Sequence, residues 1–95
     1  MLLKTVEYNE RNINWNGSRE YDLMFLRHVE NYFQRLLQIR GYVYLNQICE
    51  YLGDGWDPGN DNPCIRCDDY HAGEIRFDIL PLSDRSYFVY IMNNE

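Results

Sequence analysis

Three cysteines and a histidine are the residues of this sequence best suited to hold a metal ion. Two residues separate Cys64 from Cys67, three residues separate Cys67 from His71, and Cys49 lies upstream. Together they could offer Zn²⁺ three thiolates and an imidazole. They do not form two tight local pairs, and Cys49 falls on the inner side of a predicted helix, where a small core residue is the simpler interpretation. The sequence therefore favours no metal site and leaves these four residues as an alternative.

The Cys64-x-x-Cys67 pair is also a poor match to a redox site. Such pairs normally begin a helix that follows a strand, where the helix dipole lowers the thiol pKa. Here Asp68 and Asp69 stand beside the pair, and nearby negative charge opposes formation of a thiolate.

Acidic side chains concentrate in the stretch from residue 53 to residue 73. Their spacing does not match a calcium loop, which has ligands at alternate positions and a closing glutamate. A solvated group of turn residues is one interpretation. The other is a surface that imitates phosphates and binds a basic partner protein. The residues assigned to this second interpretation are Asp57, Asp61, Asp68 and Asp69.

Arginine and tyrosine suggest a different kind of site. The chain has eight arginines, a single lysine, nine tyrosines and two tryptophans, and these arginine and aromatic types are enriched at the centres of binding surfaces. Tyrosine can also have a purely structural role, with its ring packed in the core and its hydroxyl in contact with water. For a nucleotide-like ligand, we expect arginines to bind phosphates and aromatic rings to stack on a base. The candidates are Arg40, Arg66, Arg76 and Arg85 with Tyr42, Tyr44, Trp56 and Tyr70.

Several function classes are disfavoured by composition and by missing motifs. The net charge of −6 opposes general binding to a nucleic-acid backbone, which positive charge drives. The chain has neither a phosphate-cradling glycine motif nor a GxSxG elbow, and His28 and Glu30 point in different directions on a helix. We therefore expect a protein that is not an enzyme and needs no cofactor. The sequence has no run of eighteen apolar residues and no signal peptide, so no membrane association is expected and a cytoplasmic location is favoured.

One long amphipathic helix, over about residues 18–40, is the element that must position these candidates. Ser18 is a suitable N-cap, and Gly41 supplies a left-handed stop. Leu23 and Met24 lie off the apolar face, so either the N-terminal segment covers them or they form an exposed patch. At about 100° per residue, one face collects Phe25, Leu26, Val29, Tyr32, Phe33, Leu36, Leu37 and Ile39.

The remaining elements complete a single α+β domain over residues 1–95. A loosely alternating N-terminal stretch predicts an edge strand, and a short helix is expected at about 46–52 with Asn46 as its N-cap. Residues 53–73 are predicted to be one long acidic loop. Strict alternation then predicts an antiparallel hairpin over 74–93. The expected fold is thus a long and a short helix packed on a small antiparallel sheet with a C-terminal β-hairpin.

The segment from Arg40 to Gly53, together with residues 25–32 before it, resembles an uncharacterised family of small proteins from phages and prophages of Gram-positive bacteria. The similarity lies in an arginine-glycine turn, a short extended step and a Leu-Asn helix that ends in Leu-Gly; residues 75–79 resemble a strand of that family. The cysteine pair and the acidic loop are not part of the pattern. The resemblance implies a phage setting in a bacterial host cell and no defined activity.

These observations give two functional hypotheses. The first is a binding protein that can form a homo-oligomer and antagonises a host defence by sequestering a nucleotide signal or by blocking a host effector protein. It requires an arginine and an aromatic ring to converge in a concave site. The second is a protein-interaction or virion-associated module, or an acidic nucleic-acid mimic, that works through the carboxylate loop.

Overall fold

The computed structural model describes residues 1–94 and has the predicted α+β fold. Three strands form one antiparallel sheet in the order β1-β5-β4, and two shorter strands form a separate ribbon, β2-β3. Within residues 1–94, neither helix is long and apolar enough to cross a membrane. The elements are β1 (Leu2–Tyr8), α1 (Arg19–Arg40), β2 (Tyr42–Tyr44), α2 (Leu45–Tyr51), β3 (Cys64–Arg66), β4 (Ile75–Pro81) and β5 (Tyr87–Asn93).

The ends of α1 follow the predicted capping. The Ser18 hydroxyl accepts from the amide of Tyr21, and Gly41 adopts the left-handed conformation (φ 88°) while its amide donates to Leu37. The buried carboxylate of Asp22 accepts from the amides of Asn16 and Gly17 at 2.8 and 3.0 Å. The chain entering the helix is therefore fixed by side-chain hydrogen bonds in addition to the N-cap.

The apolar face of α1 is narrower than the sequence predicts. Leu26, Phe33 and Leu37 are buried, but Ile39 is 78% exposed. The prediction that Ile39 belongs to the core face is wrong, because this residue lies in the last turn of the helix, at the border of the predicted face. Of the two residues lying off that face, Leu23 packs partly against the core and Met24 stays exposed.

The helix α1 also closes one edge of the three-stranded sheet. The outward amides of Ile75 and Phe77 on β4 donate to the side chains of Gln34 and Glu30, and Arg27 donates to the Phe77 carbonyl at 2.8 Å. Exposed strand edges invite pairing with other chains, and these contacts remove that opportunity. The hairpin of β4 and β5 thus lies as predicted, with its inner face under α1.

The stretch 53–73 differs from the continuous loop predicted for it. It contains β3, which pairs antiparallel with β2 so that Tyr42 lies opposite Arg66 and Tyr44 opposite Cys64. Buried Ile65 supplies the hydrophobic anchor of β3, but one apolar residue among turn-forming residues is too short a pattern to predict a strand.

The short helix α2 begins one residue earlier than predicted and is not capped by Asn46. The side chain of Gln47 instead accepts from the Tyr44 amide at 3.0 Å. Asn46 pairs with Asn62, accepting from its side-chain amide at 2.9 Å. The predicted cap residue therefore links α2 to the segment that leads into β3.

Candidate functional site

A groove of about 310 Å³ lies beside the β2-β3 ribbon and is the candidate site. Strand alternation turns Val43 inward and leaves the rings of Tyr42 and Tyr44 43% and 41% exposed. The register brings Arg66 to the same face as Tyr42, because directly opposed residues on an antiparallel pair share a face. The groove is lined by Arg40, Gly41, Tyr42, Tyr44, Cys64, Arg66 and Asp68.

Arg40 is held in one geometry by three contacts. Its guanidinium carbon lies 4.5 Å from the centre of the Tyr42 ring, a cation-π arrangement. Its Nε donates to the Tyr42 carbonyl at 3.1 Å, and an Nη donates to the Gln47 side chain at 2.9 Å. The left-handed turn at Gly41 allows Arg40 to reach Tyr42 and Gln47, because it reverses the chain directly after Arg40. The arginine is therefore ordered within the chain itself.

The two tyrosines extend this stack along β2. The rings of Tyr42 and Tyr44 meet edge to face with their centres 5.9 Å apart. Arg40 covers part of Tyr42, whereas the Tyr44 ring lies at the far end of the stack. An aromatic surface and a fixed cation thus stand side by side.

Arg66 is the second cation of the groove. It is exposed, and in the described part of the chain its guanidinium makes no salt bridge and no hydrogen bond. Arg66 and Arg40 together with the carboxylate of Asp68 give the groove one net positive charge in a chain of net charge −6. A basic site on an acidic protein attracts anions locally and does not attract long polyanions.

Asp68 is the acidic member of this groove and is ordered by its own turn. One carboxylate oxygen accepts from the amides of Tyr70 and His71, each at 2.9 Å, and lies 3.0 Å from His71 Nδ1. The amide of Tyr70 first, and then the His71 side chain, hold the pKa of Asp68 below its usual value. The carboxylate is therefore charged at neutral pH and limits how much negative charge the groove accepts.

Four of the eight predicted ligand-binding residues lie outside the groove. Arg76 on β4 pairs with Glu74 at 3.4 Å, and Arg85 occupies the β4-β5 turn with a left-handed backbone (φ 66°). Trp56 lies against Lys4, with Nζ 4.8 Å from a ring centre, and Tyr70 stands on an exposed turn. Only Arg40, Arg66, Tyr42 and Tyr44 converge.

The four aspartates of the alternative hypothesis lie on both sides of β3 in the chain. Asp57 and Asp61 precede this strand, whereas Asp68 and Asp69 follow it. The carboxylate of Asp57, like that of Asp68, accepts from a backbone amide of its own turn. Turn formation therefore explains two of these four carboxylates.

The candidate metal ligands are also dispersed. Over residues 1–94, no three His, Cys, Asp or Glu side chains are placed where they could hold one ion. Burial, and then the charge of Asp54, raise the pKa of the Cys49 thiol to about 12. Cys64 and Cys67 are three residues apart on extended backbone and therefore point to opposite sides, about 10 Å apart along the chain. That separation also excludes a disulfide between them without backbone movement.

Sequence reasoning missed three parts of the groove. Gln47 orders Arg40, while Cys64 and Asp68 line the groove walls. Gln47 had a local signal, since Tyr44 and Gln47 have the spacing of a capping box. Cys64 and Asp68 join the groove only because β3 folds back onto β2.

Comparisons with known protein families, with curated proteins and with solved structures find no match. The resemblance to small phage proteins stays a prediction.

Proposed function

We propose that this protein is a non-enzymatic binding protein that sequesters a small nucleotide-like anion in the groove lined by Arg40, Tyr42, Tyr44 and Arg66. In the phage or prophage setting that the resemblance implies, such capture removes a host defence signal in the cytoplasm of the bacterial cell. The protein acts by occupancy, without a cofactor and without a reaction.

The observation that carries the proposal is the ordering of Arg40 against Tyr42 and Gln47. An arginine that is already fixed loses little side-chain entropy when it binds an anion, and preorganisation of this kind raises affinity. Arg66 supplies free, forked donors on the same face, which suit a phosphate. The ordered guanidinium of Arg40 orients the ligand, and the free guanidinium of Arg66 can adjust its position to the phosphate.

The groove also limits the size and charge of the ligand. A volume of about 310 Å³ is near the lower end of the range for small-molecule sites, so it fits a mononucleotide or part of a larger ligand. The charge of Asp68 disfavours several phosphates at once. We expect a base to stack on the Tyr44 side of the groove and a single phosphate to lie towards Arg66.

The test is calorimetric titration of the full chain with AMP, GMP, CMP, UMP and inorganic phosphate. Arg66→Ala is expected to weaken binding of the preferred nucleotide by about tenfold or more, since a charge-assisted contact is lost. Arg35→Ala is the matched control, because Arg35 is exposed on α1, far from β3 in sequence, and its loss changes the net charge equally. The proposal fails if none of these compounds binds at millimolar concentration, or if both variants weaken binding equally.

The alternative of a protein-interaction module, a virion component or an acidic mimic has less support. Of its four residues, Asp57 and Asp68 already accept hydrogen bonds from amides of their own turns, which explains these two carboxylates without a partner. Within the first hypothesis, we rank a host effector protein behind a nucleotide as the partner, because the ordered cation and the aromatic rings of the groove suit a small anion.

A further inference from the structure

The outer face of the three-stranded sheet, on the side away from α1, carries an apolar band. The inner residues of the central strand β5 are buried, and alternation turns Phe88, Tyr90 and Met92 outward, where they are half-buried. The Phe88 and Tyr90 rings are in contact, with centres 6.4 Å apart. Their neighbours Thr5 on β1 and Asp78 on β4 are exposed, so this face is open to solvent.

An irregularity in β1 extends the band to one corner of the sheet. The pairing register shifts between Leu2 and Lys4, and this shift sets Leu2 opposite Met92. Leu2 is 52% exposed, whereas Leu3 packs on the core instead. At the diagonally opposite corner, Leu80 lies opposite Phe88 and is 47% exposed. The band therefore runs diagonally across the sheet from Leu2 to Leu80.

The two remaining corners carry opposite charges. Glu7 lies beside Phe88, and Arg76 lies beside Met92. A two-fold axis along the apolar diagonal exchanges these corners, so Glu7 of one copy would face Arg76 of the other, at two equivalent places. An isologous interface requires self-complementarity of this kind. The pairing of Arg76 with Glu74 at 3.4 Å uses Nε and leaves the terminal nitrogens of its guanidinium for a second carboxylate.

We propose that the outer face of this sheet binds a second copy of the chain in a two-fold symmetric dimer. The strands of the two sheets cross at a steep angle, as in orthogonal sheet packing. The aromatic band alone would also suit stacked bases of a single nucleic-acid strand, but Glu7 and Asp78 on this face repel phosphates. A second copy covers the apolar band and pairs the two charged corners. It leaves Asp78, on the edge strand β4, without a partner, which weakens the association.

The size of the face sets the expected affinity. Three strands of seven residues present a surface of about 15 by 20 Å, which buries less than the roughly 800 Å² per partner of a standard interface. The dimer is therefore expected to be weak, with dissociation below a concentration of about 0.1 mM. It does not involve the β2-β3 groove and is independent of the ligand proposed for it.

The experiment is sedimentation equilibrium of the full chain from about 1 µM to about 1 mM, with charge reversals at the two corners. Arg76→Glu and Glu7→Arg each place like charges opposite one another at both contacts, so each is expected to weaken the dimer about tenfold. The double variant restores both pairs at an unchanged net charge and is expected to return to within about threefold of the original affinity. Circular dichroism of each variant establishes that it is folded.

Two further variants separate this face from other surfaces. Arg35→Glu on α1 changes the net charge as Arg76→Glu does and is expected to leave dimerisation unchanged. Leu80→Lys puts a charge into the exposed end of the apolar band and is expected to weaken the dimer strongly without affecting the core. A chain that stays monomeric at about 1 mM would overturn the proposal. A double variant as weak as its single parents, or an equal effect of Arg35→Glu, would overturn it too.

Discussion

The two sheets of this protein differ in how much they bury. The three-stranded sheet and α1 share a continuous core, whereas the β2-β3 ribbon contributes only Val43 and Ile65 to it. The outward positions of the ribbon are instead occupied by Tyr42, Tyr44, Cys64 and Arg66. The inward residues of the larger sheet are Val6, Tyr8, Ile75, Phe77, Tyr87, Val89 and Ile91.

The residues that form the main core and those that line the candidate groove therefore lie in different parts of the chain. A two-stranded ribbon is marginal by itself, and this ribbon is held by backbone hydrogen bonds to its surroundings. Leu45 donates to Pro63 at 2.9 Å, Cys67 to Gly41 at 3.0 Å and Gly73 to Arg66 at 2.8 Å. The groove therefore depends on a few contacts that the main core does not need.

The largest effect is expected from shortening a core side chain of the larger sheet. Phe77 is buried under α1, so Phe77→Ala should lower the free energy of unfolding by about 3–5 kcal/mol, measured by urea denaturation. Phe88→Ala is the matched control, because this phenylalanine lies on the outer face and is only half-buried. Equal losses for the two variants would contradict the assignment of the core to the inner face.

A smaller and more local effect is expected where the chain leaves the ribbon. A Cβ added at Gly73 would lie 2.2 Å from the Arg66 carbonyl oxygen, so Gly73→Ala must displace β3 and should cost about 1–3 kcal/mol. Gly55→Ala meets no atom within 4 Å and serves as the control.

Amide hydrogen exchange of Gly73→Ala sharpens the comparison between the two sheets. Protection should fall in β2 and β3 and persist in β4 and β5, and nucleotide binding in the groove should weaken. If protection fell uniformly along the chain, the ribbon would be an integral part of the main core.

The sequence predicts those parts of the fold whose signals are local and repeated. The alternation at residues 75–79 and the caps Ser18 and Gly41 act through neighbouring residues, and the hairpin and α1 lie where they were expected. The strand β3 escapes prediction because its three residues gain their stability from β2, more than twenty residues earlier. Tertiary pairing decides its structure, and propensity does not.

The same reason explains how much of the candidate site could be anticipated. Arg40, Tyr42 and Tyr44 are close in sequence, and alternation alone puts both rings on one face of β2. Arg66 joins them only through the register of the ribbon. Arg76, Arg85, Trp56 and Tyr70 have the same chemical types but lie elsewhere, so residue type without register selects too many candidates.

The smallest effect concerns two tyrosines inside the larger sheet. Tyr8 and Tyr87 are buried with their ring centres 6.3 Å apart, and neither hydroxyl has a hydrogen-bond partner among residues 1–94. Burial, and then the charge of Asp22, raise the pKa of both phenols above the usual value of about 10. Tyr42 and Tyr44 of the ribbon, by contrast, are partly exposed to solvent.

This burial gives the larger sheet a specific sensitivity to alkali. Well below pH 10 both phenols are protonated in the folded and the unfolded chain, so their contribution to stability does not change with pH. Above pH 10 the unfolded chain releases these protons while the folded chain keeps them, and the free energy of unfolding therefore falls as pH rises.

Tyr8→Phe should reduce this dependence of the unfolding free energy on pH, measured by urea denaturation between pH 7 and pH 11. At pH 7 it should be neutral or stabilising by up to about 1 kcal/mol, because an unpaired buried hydroxyl is removed. Tyr70→Phe, which removes an exposed hydroxyl, should leave the stability at pH 7 unchanged. A loss of more than about 1 kcal/mol for Tyr8→Phe at pH 7 would instead mean that this hydroxyl is hydrogen-bonded, for which an internal water between the two tyrosines is the simplest partner.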